Sequence, residues 1–279
     1  VITVLRAGPL TTVQDLGRPG WAHLGVPRSG ALDAPALRLA NRFVGNPDDA
    51  AGLETTMLGC TLRFERPALV AVTGAVADID VDSRPVERLR GCQLFEVPAG
   101  GVVDVKRATR GVRSYLAVAG GITVEPVLGS RSTDTLSGLG PARLADGDTL
   151  PVGVPAAAPM LVGEPARPGG ELVLGIRLGP RDDWFDTKGL FGSPYRISPL
   201  SNRVGSRLAG TALTRTRAGE LPSEGVVLGA VQVPADGQPI IFLADHPTTG
   251  GYPVIGVIDD VAPLAQAQPG TTVRFRELD

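Results

Sequence analysis

Residues 61–81 read TLRFERPALVAVTGAVADIDV. Thr61–Phe64, Ala68–Thr73 and Ala77–Val81 are short runs rich in Val and other apolar residues, separated by Pro and Gly. The same texture continues outward in Gln93–Val97, Val102–Val105 and Ser114–Val118. Runs recurring about every ten residues predict a sandwich or barrel rather than a helical core. The expected class is mainly β with a few short helices.

Composition points the same way. The 279 residues include 37 Gly and 25 Pro, and 43% are apolar, enough for a packed core. Only 4% are aromatic, so Val, Leu, Ile and Ala must build that core. With 27 basic and 29 acidic residues, the chain has no electrostatic footprint for nucleic acid or an anionic membrane. No apolar run approaches the ~20 residues of a membrane span. Val1–Leu5 reads as a strand rather than as a leader, and the expected location is the cytoplasm.

Several chemistries are excluded by residue type. Cys60, Cys92, His23 and His246 do not have zinc-cluster spacing, so no metal is expected. The two cysteines suit free thiols in strands, with a single disulfide as the alternative. The only lysines, Lys106 and Lys188, lie outside any glycine loop, so there is no GxxxxGK[ST] phosphate loop. Neither a GxSxG elbow nor a GxGxxG turn follows a strand.

Two β-rich subdomains are expected, residues 1–160 and 161–279. In the first, Val1–Ala7 is a strand and Thr12–Gly30 a glycine-rich loop. Asp33 then caps a helix with Pro35 in its first turn, and Gly45-Asn46-Pro47 stops it. The proline-rich stretch PVGVPAAAPMLVGEPARPGG, residues 151–170, reads as a linker. Beyond it, strands are expected at Leu172–Leu178, Thr211–Arg217, Val226–Val233, Ile240–Ala244 and Thr272–Arg276. Short helices are expected at Arg181–Leu190 and Asp260–Ala265.

Four segments concentrate functional atoms. Arg18, Arg28 and Ser29, in the first loop, suit a carboxylate or phosphate beside the helix start; the alternative is a structural loop in which Asp33 only caps. Residues 129–134, GSRSTD, place one Arg among three hydroxyls, either to grip an anionic small molecule or to form a turn with Asp134 paired to Arg131. In residues 202–208, NRVGSRL, Arg203 is the ligand candidate and Arg207 a surface charge. Residues 244–253, ADHPTTGGYP, offer a carboxylate, an imidazole, hydroxyls and a phenol able to polarise an amide carbonyl. Asp245 and His246 do not form a catalytic pair, because adjacent side chains diverge. His23 and His246 read as structural, and Tyr252 as either packing or functional.

Three blocks occur in fixed order: GPLTTVQDLGRPGWAHLGVPRSGALD at 8–33, AGGI and LGSRSTD at 119–134, and SEGVVLGAVQVPADGQPIIFLADHPTTGGYP at 223–253. Together they resemble the family of 5-oxoprolinase C subunits, whose other labels are allophanate hydrolase subunit 2, biotin-dependent carboxyltransferase, and KipA-like antagonist of a histidine-kinase inhibitor. The resemblance spans nearly the whole chain and implies cyclophilin-like β-barrel character. It further implies a cytoplasmic hetero-oligomer with a KipI-like partner (the 5-oxoprolinase B subunit, or allophanate hydrolase subunit 1) and with an A subunit. That assembly hydrolyses 5-oxoproline to glutamate with ATP, which would be bound with or by the partner subunits; this chain alone is expected to be inactive.

The matched motifs imply catalytic positions at Glu224, Asp245 and Tyr252. They imply substrate-binding positions at Gln14, Asp15, Arg18, Ser29, Asp33, Arg131, Asp134, Arg203, Gln232, Thr248 and Thr249. The resemblance also leads one to expect an aromatic where this chain has Ser206. No biotin attachment motif is present, so carboxyl transfer would need a carrier in trans. A component of a urea- or allophanate-type carboxyltransferase, and a non-enzymatic regulator of a kinase inhibitor, remain alternatives.

Overall fold

A computed structural model describes residues 1–87, 92–155, 157–160 and 170–279. Part of the expected linker, residues 156 and 161–169, lies outside the described residues. The described residues form two compact units. One holds residues 1–18, 29–134 and 138–160; the other holds 19–28, 135–137 and 170–279.

The first unit carries nine strands: β1 (Ile2–Arg6), β2 (Thr11–Gln14), β3 (Gly52–Thr56), β4 (Thr61–Phe64), β5 (Ala68–Val81), β6 (Arg84–Pro85), β7 (Gln93–Val97), β8 (Val102–Val118) and β9 (Thr149–Leu150). β8 organises the sheet. Along one side it pairs β5 from Val118 down to Val103; along the other it pairs β3 near Leu116 and β4 near Val103. Two expected strand pairs are therefore single long strands: Ala68–Thr73 with Ala77–Val81, and Val102–Val105 with Ser114–Val118. The chain passes through Gly74 (φ +90°) and takes register shifts between Gly74 and Ile79 without leaving the ladder. The first loop is also shorter than expected, because Thr11–Gln14 pairs antiparallel with a strand that sequence reading passed over, Gly52–Thr56.

Period-two alternation gives this sheet two apolar faces. Val70, Val72, Ile79, Val103, Leu116 and Val118 join Val4, Leu53, Leu62 and Phe64 in the larger core. The opposite face carries Ala71 and Ala117, which lie in direct cross-strand register. Helix α1 (Ala34–Phe43) packs there through Leu39, Ala40 and Phe43. Two small residues side by side let the helix approach closely, and Thr73 Oγ1 donates to the Ala36 carbonyl at 2.7 Å. Asp33 caps α1 as expected, accepting from Ala36 N at 3.0 Å. Cys60 and Cys92 are buried free thiols.

In the second unit, seven strands close a barrel: β10 (Leu172–Leu178), β11 (Tyr195–Ile197), β12 (Gly205–Ala209), β14 (Ala230–Gln232), β15 (Ile240–Phe242), β17 (Val254–Ile258) and β18 (Thr272–Glu277). Closure is a parallel pairing of β10 with β18, from Leu172↔Val273 to Ile176↔Glu277. Closing the sheet on itself removes its free edges. The remaining strands, β13 (Glu224–Gly225) and β16 (Thr249–Gly250), pair with each other.

Some expectations for this half are corrected. Residues 211–217 form no strand. They hold one bridge, Arg215 to Phe185, and Arg215 lies over the Trp184 ring at 5.0 Å. The expected helix at Arg181–Leu190 is a 3-10 turn, Asp182–Trp184, then extended backbone at Phe185, then α2 (Lys188–Gly192). The strand expected at Val226–Val233 is reduced to β14, since residues 226–229 turn towards it. The last short helix is α3 (Ala262–Ala265).

Candidate functional site

The motif residues fall into two polar clusters, one in each unit. In the first unit Asp15 follows β2 and ties distant loops together. Its Oδ1 accepts from Ser130 Oγ at 2.6 Å, Ser132 Oγ at 2.6 Å and Gly17 N at 2.8 Å, while Oδ2 accepts from Arg131 N at 2.6 Å. A carboxylate receiving four donors is satisfied where it sits, so Asp15 orders this loop cluster. Arg131 also donates Nε to the Val124 carbonyl at 2.7 Å.

Arg18 is 1% exposed and donates to the carbonyls of Val127 and Ser132. Gly140 makes room for it: at φ +80°, a Cβ there would lie 3.0 Å from Arg18 Nη2 and 2.1 Å from the Ser132 carbonyl. Gln14 spends both Nε2 hydrogens, on Thr12 Oγ1 and on the Thr133 carbonyl, each at 3.0 Å. Ser29, at φ +55°, donates to the same carbonyl at 2.9 Å. Gln14 Oε1 and Thr133 Oγ1 are buried without a hydrogen-bond partner among the described residues. Asp134 is buried, and its backbone N–H bonds the Leu139 carbonyl at 2.9 Å.

Asp33 does more than cap. Its backbone N–H donates to Tyr115 Oη at 2.8 Å, and Tyr115 donates to Glu54 Oε2 at 2.8 Å. Burial first, then the Glu54 and Asp33 carboxylates, push the Tyr115 phenol well above its ordinary range. Tyr115 is thus a permanent neutral donor.

In the second unit Arg203 and Asp245 form a bidentate pair, Nε to Oδ2 at 2.8 Å and Nη2 to Oδ1 at 2.9 Å. Asp245 Oδ2 also accepts from Thr135 N at 3.0 Å and Thr135 Oγ1 at 2.7 Å. Burial pushes the Asp245 carboxyl up. The Arg203 charge, its hydrogen bonds and those of Thr135 outweigh that and hold the carboxyl below the usual carboxylate range. His246 turns Nδ1 to the Pro247 carbonyl at 2.6 Å and stacks on Phe242, centroids 5.9 Å apart.

The β13–β16 pair places Glu224 opposite Gly250 and Gly225 opposite Thr249. Glu224 is gripped by Arg181, Nε to Oε2 at 3.1 Å, with a second bond from Nη2 to Oε1. The Arg181 hydrogen bonds hold the Glu224 carboxyl below its ordinary value, with help from the Arg181 charge, against the opposing effect of burial. Thr248 gives its carbonyl to Val226 N at 3.0 Å. Gln232 Nε2 donates to the Tyr252 carbonyl at 2.9 Å, while the Tyr252 side chain is 55% exposed. Ser206 is buried on β12.

Folding therefore brings together Gln14, Asp15, Arg18, Ser29 and Arg131 in one unit, and Arg203 with Asp245 and Gln232 with Tyr252 in the other. Sequence reasoning passed over Arg181, Thr135 and Glu54. Each is a charged or hydroxyl residue outside any dense motif, and only its partner marks it.

Residues 24–277 match the family model described as carboxyltransferase domain, subdomain A and B. The chain is 42% identical to the C subunit of 5-oxoprolinase from Escherichia coli strain K12, over 99% of this chain and 90% of that protein. Among solved structures, TTHA0988 superposes with a TM-score of 0.87 at 36% identity, covering 99% of this chain and 56% of that one. The chain thus spans about half the length of TTHA0988. The urea amidolyase of K. lactis superposes with a TM-score of 0.91 at 29% identity, over 100% of this chain and 19% of that one.

Proposed function

This chain belongs to the carboxyltransferase-domain family, subdomains A and B, and from that premise we propose that it is the C subunit of an ATP-dependent amidohydrolase that opens 5-oxoproline to glutamate. The observation that carries the reading is the near full-length similarity to a C subunit of 5-oxoprolinase. Its partners are a KipI-like B subunit together with an A subunit, and it has no turnover alone. The subdomain boundary near residue 160 belongs to the same proposal.

The chemistry asks for a wall that orients a small cyclic amide and stabilises charge developing on its oxygen. Within the second unit Arg203, fixed by two hydrogen bonds to Asp245, needs no reorganisation during reaction; within the first unit Arg18 orders its own loop cluster through the Val127 and Ser132 carbonyls. Asp245 is then a positioning residue, since a carboxylate held ionised by Arg203 aims the guanidinium rather than carrying a proton. Glu224, ionised and bonded through both oxygens to Arg181, is the candidate catalytic carboxylate, and Arg181 would have to release it before it could accept a proton. Tyr252 presents an exposed phenol near Gln232.

The lysines do not fit an ATP polyphosphate. Lys106 is paired with Asp80 at 2.7 Å and Asp104 at 3.8 Å, and Lys188 opens the five-residue helix α2. We therefore assign nucleotide binding to another protein of the assembly and derive no step through it.

The test is co-expression with the KipI-like partner and the A subunit, following glutamate release from 5-oxoproline with and without ATP. ATP-dependent glutamate that vanishes when this chain is omitted supports the reading; a well-formed assembly that makes none overturns it. The likeness to urea amidolyase favours a second reading, carboxyl transfer to urea or a related amide. Avidin distinguishes the two, because it inhibits only a biotin-dependent reaction.

A further inference from the structure

A cleft of about 590 Å³ opens within the second unit. Its floor comes from the positions on β12, β14 and β15 that alternate with the buried Ser206, Val231 and Ile241. Arg207 lies opposite Ile240, and Ile240 lies opposite Gln232, so the three form one row across adjacent strands. Strand spacing sets Arg207 and Gln232 about 10 Å apart. Beside this row Gly205 faces Phe242. A Cβ on Gly205 would come within 2.9 Å of Ile240 Cγ2, so the floor there stays bare. Tyr252, more than half exposed, also lines the cleft.

The two arginines of this segment have opposite circumstances. Arg203 is buried and bidentate to Asp245. Arg207 is exposed, lines the cleft, and its guanidinium makes no hydrogen bond or ion pair among the described residues. A cation at one end, an apolar and aromatic floor, and an amide side chain at the other end form a complementary outline. It suits a small ring bearing one carboxylate and one amide.

We propose that this cleft is the subsite for the carboxylated lactam, with its carboxylate on Arg207, its ring against Ile240 and Phe242, and its amide edge at Gln232. The proposal rests on the 5-oxoprolinase reading and gives that reading an anchor residue. Gln232 Nε2 is tied to the Tyr252 carbonyl, so Oε1 is the acceptor for the lactam N–H. Asp236 also lines the cleft, makes no ion pair among the described residues, and repels a second carboxylate. The ring-opened dicarboxylate is consequently held more weakly than the lactam, which favours product release.

The experiment has two arms. In the active, complete assembly, R207A raises KM for 5-oxoproline about 10- to 100-fold, the value of a charge-assisted contact, with kcat within about twofold. R207K recovers part of the loss. For 2-pyrrolidinone, which lacks the carboxylate, wild type and R207A bind alike. An unchanged KM for R207A in an active assembly overturns the subsite.

If the assembly makes no glutamate, the functional reading falls and the cleft is judged separately. Amide shifts of the full chain are then followed during titration with 5-oxoproline at up to tens of millimolar. Changes grouped at Gly205, Arg207 and Tyr252 that R207A abolishes support the subsite; changes elsewhere, or none, overturn it. Arg207 is exposed, so its variants test binding without disturbing the core.

Discussion

Arg203 and Asp245 meet through two hydrogen bonds, at 2.8 and 2.9 Å, with side chains only 1% and 0% exposed. Removing one partner of such a pair strands a buried charge, whereas exposed pairs contribute little. We expect R203A to lower unfolding stability by about 3–5 kcal/mol, measured as a shift in the urea midpoint. R203K recovers only part of it, because a single ammonium cannot reproduce the bidentate fork.

The same pair sets a pH dependence. Asp245 is held below its ordinary value of 3.8 in the folded state, so its contribution is complete above that value. It fades as pH falls through the lower folded value. Denaturation midpoints of wild type and D245N should therefore converge below pH 3.8 and stay separated from pH 5 to 7. A constant separation across both ranges would rule out this linkage.

Asp15 makes a second prediction, in the other unit. An Asn there keeps one acceptor oxygen but turns an NH2 towards Arg131 N, the donor now served by Oδ2. D15N should cost about 1–3 kcal/mol. Hydrogen exchange should quicken at Gly17, Arg131 and Ser132, while β5 and β8 keep their protection.

Gly74 stands where the register of the long β5 ladder begins to shift. At φ +90° an added Cβ would sit 2.4 Å from the Arg113 carbonyl, which belongs to the paired strand and cannot move alone. G74A should destabilise by about 1–3 kcal/mol. A neutral result in chemical denaturation would show that the ladder relaxes there.

Cys60 is fully buried, and burial pushes its thiol up to about 11. Thiolate is the reactive form, so a thiol reagent at pH 8 should leave Cys60 unmodified in the native chain. Unfolding in denaturant should release both thiols, Cys60 and Cys92, to the reagent. Prompt native labelling at Cys60 would contradict its burial.

The sequence carried what depends on neighbours in the chain. Val-rich runs cut by Gly and Pro announced a β fold, Asp33 and Pro35 announced the start of α1, and the placement of two lysines removed a phosphate loop. These signals are local because alternation, capping and turn preference act over a few residues. Tertiary structure alone decided which strands continue and which polar groups meet. Gly74 reads locally as a break, yet the ladder with β8 carries the chain through it. Asp15 finds Ser130 and Ser132 more than a hundred residues away, and Arg181 finds Glu224. With 27 basic and 29 acidic residues, composition offers almost every charge many possible partners. Sheet register and closure of the barrel select one of them. They also left Arg207 facing an open cleft while burying Arg203 against Asp245, a difference that four residues of local sequence do not announce.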